Sequence, residues 1–204
     1  MSKPRERRLI ATADEVRAFL AGKTQHRVPI TRLTKPGSVT KFQASDTPGY
    51  DFTFRDREKR WHDLRTHELL ERSPVGVGDL LWIAEALRAD PYGGIEYVAD
   101  GSIHRDANWV WPRSELRAPF MPRGLCRLVY RVIDLRAERV QSITEDDAKA
   151  EGVRSDCGHH GCAEGSHGYW GAFGGAWMRH HGLDSWCSNG WVWVRTLERA
   201  EGSV

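Results

Sequence analysis

A helix signal opens the patterned part of the chain. Thr12 and Glu15 have the spacing of a capping box, apolar residues follow every three or four positions, and Gly22 stands where helices commonly end. The pattern therefore predicts a helix over residues 13–21, with a polar segment directly after it.

Apolar runs and alternating positions predict strands along the rest of the chain, and the longest of them begins at Arg127. They cover Val28 to Leu33, Tyr50 to Phe54, Leu80 to Glu85, Ile95 to Val98, Arg127 to Leu135 and Trp191 to Leu197. The pair Asp100-Gly101 predicts a tight turn after the strand at 95–98.

Two more helices are predicted in the second half of the chain. Thr144 is a cap residue for a helix over 145–151, and apolar residues recur every four positions from Tyr169 to Trp177. The charged stretch from Trp61 to Leu70 has weaker helical spacing. Short strands outnumber helices and do not alternate with them regularly, so we expect an α+β fold with a small mixed β-barrel and peripheral helices.

The length of 204 residues suits one domain with a single core. We expect a basic N-terminal arm over 1–8 and a domain over 9–199. Insertions are predicted at about 38–73 and 153–168, followed by a tail over 200–204.

Composition narrows the class of protein. Hydrophobic residues make up 40% of the chain, mean hydropathy is −0.57, and no run of about 18 apolar residues occurs. We therefore expect a soluble, cytoplasmic protein that does not bind membranes. The net charge of +2 is small, although the basic arm would favour phosphate groups.

The segment from Ala21 to Arg27 carries the first candidate chemistry. A lysine, two side chains that form hydrogen bonds, a histidine and an arginine stand together there, as on the rim of a polar pocket. A phosphate-binding P-loop is excluded, because the glycine that it needs is replaced by Arg17 and a helix rather than a strand leads in. Lys23 is either a partly buried base or phosphate ligand, or an exposed lysine beside a helix end.

Several separated motifs resemble the ASCH domain of the PUA-like superfamily, and most closely its phage-type members. They are Ala21 to Thr24, Gly78 to Trp82, Met121 to Arg123, Ile143 to Ala148 with Glu151-Gly152, and Asn189 to Val194. The resemblance covers roughly residues 9–199, except for 38–73 and 153–168. It implies a PUA-like β-barrel whose cleft accepts a base, a nucleoside, or a segment of RNA or DNA.

One branch of that family removes the acetyl group from N4-acetylcytidine. The resemblance to it implies catalytic roles for Lys23 and Glu151, whereas His26 stands at the position of the family's threonine. His26 is then either a general base or nucleophile, or a histidine that only binds ligand. Glu151 is otherwise an ordinary glutamate at a helix end.

Further candidates for ligand contact surround this set. Thr24 supplies a hydroxyl, Arg27 and Arg123 supply planar donors for phosphate or bases, and Trp82 offers a ring for stacking. Each of these side chains also has an ordinary structural alternative, which for Trp82 is burial in the barrel.

Cysteines and histidines cluster in the second predicted insertion. The spacing of Cys157, His159, Cys162 and His167 is compatible with a structural zinc site, but it matches no standard finger. The alternative is a loop that binds no metal. No cofactor is required by the expected function.

The sequence therefore favours a protein that binds a nucleic acid or a nucleoside, with RNA, DNA or a modified base as its partner. The alternative is an enzyme, either an amidohydrolase that acts on an acylated nucleobase such as N4-acetylcytidine or a ribonuclease. His26 is the residue on which that choice depends.

Overall fold

The structure, a computed structural model, describes residues 4–154 and 168–200. Its strands in chain order are β1 Glu6–Ile10, β2 Gln25–Pro29, β3 Lys41–Ala44, β4 Phe52–Arg55, β5 Trp61–Leu64, β6 Leu80–Ala84, β7 Leu87–Ala89, β8 Ile95–Tyr97, β9 Ile103–His104, β10 Glu115–Leu116, β11 Val129–Arg139 and β12 Trp191–Arg199. Its α-helices are α1 Ala13–Leu20, α2 Thr66–Glu71, α3 Glu145–Ala150, α4 Tyr169–His181 and α5 Leu183–Cys187. Short 3-10 helices lie at Ala118–Phe120, Arg123–Leu125 and Val140–Ser142.

The chain divides into two compact units, each assembled from separate stretches of sequence. Among the described residues, the first unit holds 4–23, 78–132 and 198–200. The second holds 24–77, 133–154 and 168–197. None of the division points coincides with a predicted insertion boundary.

The predicted helix, α1, belongs to the first unit. The Thr12 hydroxyl accepts from the backbone N–H of Glu15 at 3.4 Å, and the Glu15 carboxylate accepts from the backbone N–H of Thr12 at 2.9 Å, which completes the capping box. Val16 and Phe19 are buried, and Gly22 has a φ of 101° that suits glycine. The predicted helix is thus confirmed.

Two groups of strands complete this unit. β1 pairs in parallel with β6, which pairs antiparallel with the start of β11. The second group has the order β10-β7-β8-β9, and the predicted turn at Asp100-Gly101 lies between β8 and β9. A cluster of Ala84, Leu87, Ile95, Tyr97 and Met121 forms its core.

In the second unit the strand order is β11-β12-β2, with β12 antiparallel to β2. Val192 and Val194 belong to one hydrophobic cluster and Trp193 to another, as alternation along a strand requires. We call the side that carries Trp193 the tryptophan face and the side that carries Val194 the valine face. Helices α3, α4 and α5 contribute residues to the cluster on the valine face.

The predicted insertion at 38–73 contains an antiparallel sheet, β3-β4-β5, and helix α2. The expected strand around Phe52 and Phe54 is confirmed. The weak helix signal from residue 61 was partly wrong, because Trp61–Leu64 is strand β5 and only Thr66–Glu71 is helical. Leu64 is buried where β5 pairs with β4, and this long-range packing outweighs the local helical spacing.

The mixed α+β class is confirmed, since several sheets and few helices form the described part of the chain. A closed barrel is not found among the described strands, whose sheets run in open orders. The PUA-like barrel therefore stays a prediction.

An ion-pair group in the first unit predicts a dependence on pH. Hydrogen bonds from Arg127 and Ser102 lower the pKa of Asp100 to about 2, and Arg127 also binds the buried Glu85 at 2.8 Å. Because the folded-state pKa of Asp100 lies below its unfolded value, its stabilising contribution should be complete above pH 4 and lost as pH falls towards 2. Urea unfolding of wild type and Asp100→Asn across that window measures it. A stability difference that stays constant from pH 6 to about 2 contradicts the assignment.

Candidate functional site

The candidate catalytic side chains are buried. Lys23 is 6% exposed, His26 is 5% exposed and Glu151 is 5% exposed. Ordinary surface positions are thereby excluded for Lys23 and Glu151. Lys and Glu side chains are seldom buried unless they are paired. The burial of Lys23 and Glu151 therefore needs a structural or functional reason, which the sequence did not supply.

Lys23 directly follows the glycine that ends α1. Its ammonium nitrogen Nζ lies 5.2 Å from the centre of the Phe19 ring, and its backbone N–H donates to the Ala18 carbonyl at 2.9 Å. Thr24 is exposed, and its backbone N–H donates to the Ala150 carbonyl at 2.9 Å. Lys23 belongs to the first unit and Thr24 to the second, so their shared role in a site stays a prediction.

Arg27 lies on the valine face within a cluster of charged side chains. Its Nη1 is 3.1 Å from Glu151 Oε1, and its Nη2 is 3.1 Å from Asp147 Oδ2 and 3.5 Å from Glu138 Oε2. The Arg27 side chain is 0% exposed. The structure thus brings two predicted site residues, Arg27 and Glu151, into direct contact.

Further polar groups complete this cluster, which we call the Arg27 cluster. Gln25 accepts from Arg27 at 2.9 Å and donates to Asp147 at 2.7 Å, while Arg136 binds Asp147 and Glu138. Burial raises the pKa of Asp147, but hydrogen bonding from Gln25 and the charges of Arg27 and Arg136 outweigh it and lower the pKa overall. Asp147 is therefore held in its charged form.

His26 lies on the tryptophan face, where the strand register places it opposite Arg195 of β12. Arg195 is 7% exposed, and burial lowers its pKa to about 10. Unlike Arg27, Arg195 forms no ion pair with any carboxylate of the described residues. A buried guanidinium without a counter-charge is costly, and an anion or an acceptor-rich group would offset that cost.

Other donors share this face of β12. Within the described ranges, Trp191 Nε1, Trp193 Nε1 and Arg195 Nε are buried and have no hydrogen-bond partner in the protein. These residues stand two apart, so their side chains follow one another along the same side of the strand. This row of side chains therefore presents hydrogen-bond donors that no acceptor among the described residues uses.

Sequence reasoning missed Arg195, although a signal was present. In the run from Trp191 to Leu197, a charged residue continues the every-second-residue series begun by Trp191 and Trp193. Period-two patterning alone predicts that such a side chain is buried. The remaining members of the Arg27 cluster give no comparable signal, because arginines and carboxylates in strands and helices are most often solvated.

Two of the predicted ligand contacts meet elsewhere, in the first unit. Trp82 is half-buried, and the guanidinium carbons of Arg8 and Arg123 each lie 5.9 Å from its ring centre. Arg123 also binds Glu6 at 3.1 Å. The ring and the guanidinium are thus engaged with protein groups, and their contact with a ligand stays a prediction.

The predicted zinc ligands Cys157, His159, Cys162 and His167 lie outside the described residues. In the described part of the chain, no group of three or more His, Cys, Asp or Glu side chains is arranged to hold a metal ion. The structural zinc therefore stays a prediction.

Comparisons of the chain with protein-family models, with curated proteins and with solved structures find no match. The likeness to the ASCH domain thus rests on the motifs in the sequence. Among the described residues, no helix combines the length and the apolar character needed to cross a membrane.

The Arg27 cluster predicts that Arg27 is needed for folding. Replacing Arg27 with Gln removes the cation that faces Glu151, Asp147 and Glu138, and should lower the free energy of unfolding by about 3 to 5 kcal/mol. Arg136→Gln is the matched control, with a smaller loss, because Arg136 is 33% exposed. Chemical denaturation of both variants measures the difference. An equal loss of unfolding free energy in the two variants would show that burial does not determine how much Arg27 contributes to stability.

Proposed function

We propose that this protein binds a nucleoside or a nucleic acid, and that Arg195 and His26 hold an acceptor-rich group of the ligand. The observation that carries the proposal is the buried guanidinium of Arg195, which forms no ion pair with the described residues. A guanidinium matches the oxygens of a phosphate or the acceptor edge of a base through parallel hydrogen bonds.

The contrast between the two faces of the β2–β12 pair supports this proposal. Arg27, on the valine face, has several carboxylates around it and fits a structural role. Arg195, on the tryptophan face, has a histidine opposite it and unused tryptophan donors beside it along the strand. Of Arg27 and Arg195, Arg195 is therefore the one whose guanidinium has no carboxylate partner among the described residues, which favours it as the ligand contact.

The resemblance to the ASCH domain supports the same ligand class independently. It implies a base-binding cleft, and it places the candidate ligand contacts in the segment that contains His26. Phosphate, a base edge and a carboxylate would all satisfy Arg195, so the choice of a nucleoside ligand rests on the resemblance.

Arg195→Met should separate ligand binding from stability. The variant removes a buried charge without a counter-ion, so we expect the free energy of unfolding to rise by about 1 to 3 kcal/mol. Affinity for cytidine monophosphate, measured by calorimetry, should fall about tenfold or more, because a charge-assisted hydrogen bond is lost. Cytidine titrated in parallel distinguishes contact with phosphate from contact with the base.

Arg195→Lys and Arg179→Met are the controls for this experiment. The lysine keeps the charge but loses the planar donors, so it should retain only part of the affinity. Arg179 is exposed on α4, and its replacement should change neither quantity. Unchanged affinity in Arg195→Met for every nucleotide that the wild type binds would remove Arg195 from the site. No binding of any nucleoside, nucleotide or oligonucleotide by the wild type would refute the function itself.

A second candidate function is hydrolysis, of an acylated base such as N4-acetylcytidine or of RNA. The burial of Lys23, His26 and Glu151 favours it, because buried ionisable groups are common in catalytic sites. The resemblance implies that Lys23 acts as a base and Glu151 gives electrostatic support. His26 or a water molecule would then take the part of the nucleophile.

Release of cytidine from N4-acetylcytidine, followed by chromatography, tests the amidohydrolase. If the protein is this enzyme, Lys23→Ala and His26→Ala should each reduce turnover by about 100-fold or more. Cleavage of a labelled RNA by the same variants tests the ribonuclease. Turnover that survives both Lys23→Ala and Glu151→Gln would refute the implied roles of those residues.

A further inference from the structure

The outward side of the β3-β4-β5 sheet carries an unusual arrangement of charge and aromatic surface. Pairing between strands places Lys41, Arg55 and Trp61 side by side in one row. Trp61 is 49% exposed, Lys41 Nζ lies 5.5 Å from its ring centre and Arg55 Cζ lies 5.9 Å from it. The opposite side of the sheet is apolar and contributes Phe52, Phe54 and Leu64 to the hydrophobic core. The row therefore faces away from that core.

The turn between β4 and β5 adds more positive charge beside this row. Arg57 and Lys59 are exposed there, and Lys59 has a positive φ of 66°. Together with Lys41 and Arg55 they make four cations, none of which forms an ion pair with the described residues. We call Trp61 and these four cations the Trp61 surface.

The acidic residues of the same turn are already occupied. Asp56 is buried and binds Arg60 at 2.9 Å and His62 at 2.8 Å, while Glu58 binds Arg60 at 3.2 Å. Burial acts to raise the pKa of Asp56, but hydrogen bonds from His62 and Arg60 outweigh it and lower the pKa. One arginine thus neutralises much of the local negative charge. The other four cations have no carboxylate partner among the described residues, although Lys41 and Arg55 contact the Trp61 ring and Arg55 Nε donates to the Lys59 carbonyl at 3.1 Å.

Asp63, an acidic residue on the outward side of the sheet, limits where an anionic ligand can lie. Asp63 follows two positions after Trp61, accepts from Ser45 at 2.8 Å and from Thr47 at 3.0 Å, and has a pKa lowered first by the Ser45 hydrogen bond. It remains charged at neutral pH and repels phosphates. The end of the sheet that carries Trp61 and the turn is therefore the favourable end for an anion.

From these contacts we infer that the Trp61 surface binds single-stranded nucleic acid, with an unpaired base stacked at Trp61 and phosphates beside the four cations. An exposed aromatic ring flanked by unpaired cations is the combination that binds single strands without strong sequence preference. A duplex keeps its bases stacked inside and offers Trp61 little. This surface shares its ligand class with the proposed function, but it uses neither Arg195 nor His26.

Fluorescence anisotropy with a labelled 12-nucleotide single strand, as RNA and as DNA, tests this inference on the full chain. Trp61→Ala should weaken binding by about 5- to 150-fold through loss of one stacked base, and Trp61→Phe should recover part of it. The double variant Lys41→Gln/Arg55→Gln should reduce the slope of log affinity against log salt by about 1.4, which corresponds to two lost phosphate contacts.

Matched controls come from the first unit. Tyr92→Ala removes an aromatic side chain that is 91% exposed, and Arg105→Gln removes an exposed cation. Neither should change the affinity for the single strand. Far-ultraviolet circular dichroism and thermal unfolding of all variants show that each is folded before its affinity is compared.

Several results would overturn the inference. They are equal affinity of wild type and Trp61→Ala for the single strand, tighter binding of the matching duplex, and stronger binding of polyglutamate or phosphatidylserine vesicles than of the single strand. Arg195→Met keeps the two proposals separate. If Arg195→Met loses mononucleotide binding but retains single-strand binding, the result supports the Trp61 surface. If Arg195→Met loses both kinds of binding and the variants of the Trp61 surface lose neither, the single strand binds at Arg195.

Discussion

The burial of two arginines on opposite faces of the β2–β12 pair is the constraint from which the candidate site follows. Arg27 is compensated by Glu151, Asp147 and Glu138, so its charge holds α3 and β11 residues around β2. Arg195 has no such compensation among the described residues and bears the cost of burial in its lowered pKa. One guanidinium therefore stabilises the second unit, and the other costs stability that a ligand would return.

The contact of Glu151 with the buried Arg27 changes how the role of Glu151 is interpreted. The sequence pairs it with Lys23 as a candidate catalytic residue, and the structure shows that it also contacts Arg27. A carboxylate that also balances a buried arginine has a structural reason to be present. Substitution of Glu151 therefore affects folding as well as any chemistry, and activity lost in Glu151→Gln is informative only when stability is measured beside it.

The two proposed surfaces of the second unit differ in physical character. The Arg195 position is buried, so it suits one defined group of a ligand and would be selective for it. The Trp61 surface is open and made of long cationic side chains around a ring. Such a surface gives affinity that depends on salt and is tolerant of sequence. In the two proposals, recognition and retention of a nucleic acid would thus fall to different residues.

Local signals in the sequence determined the elements whose causes are local. The capping box set α1, Thr144 set the start of α3, and alternation set β11 and β12. Only the tertiary structure decided that Trp61 starts a strand, that Arg27 is surrounded by carboxylates and that Arg195 lies opposite His26. The reason is that caps and periodicity depend on neighbours in sequence, whereas the cost of a buried charge depends on which distant residues the strand register brings beside it.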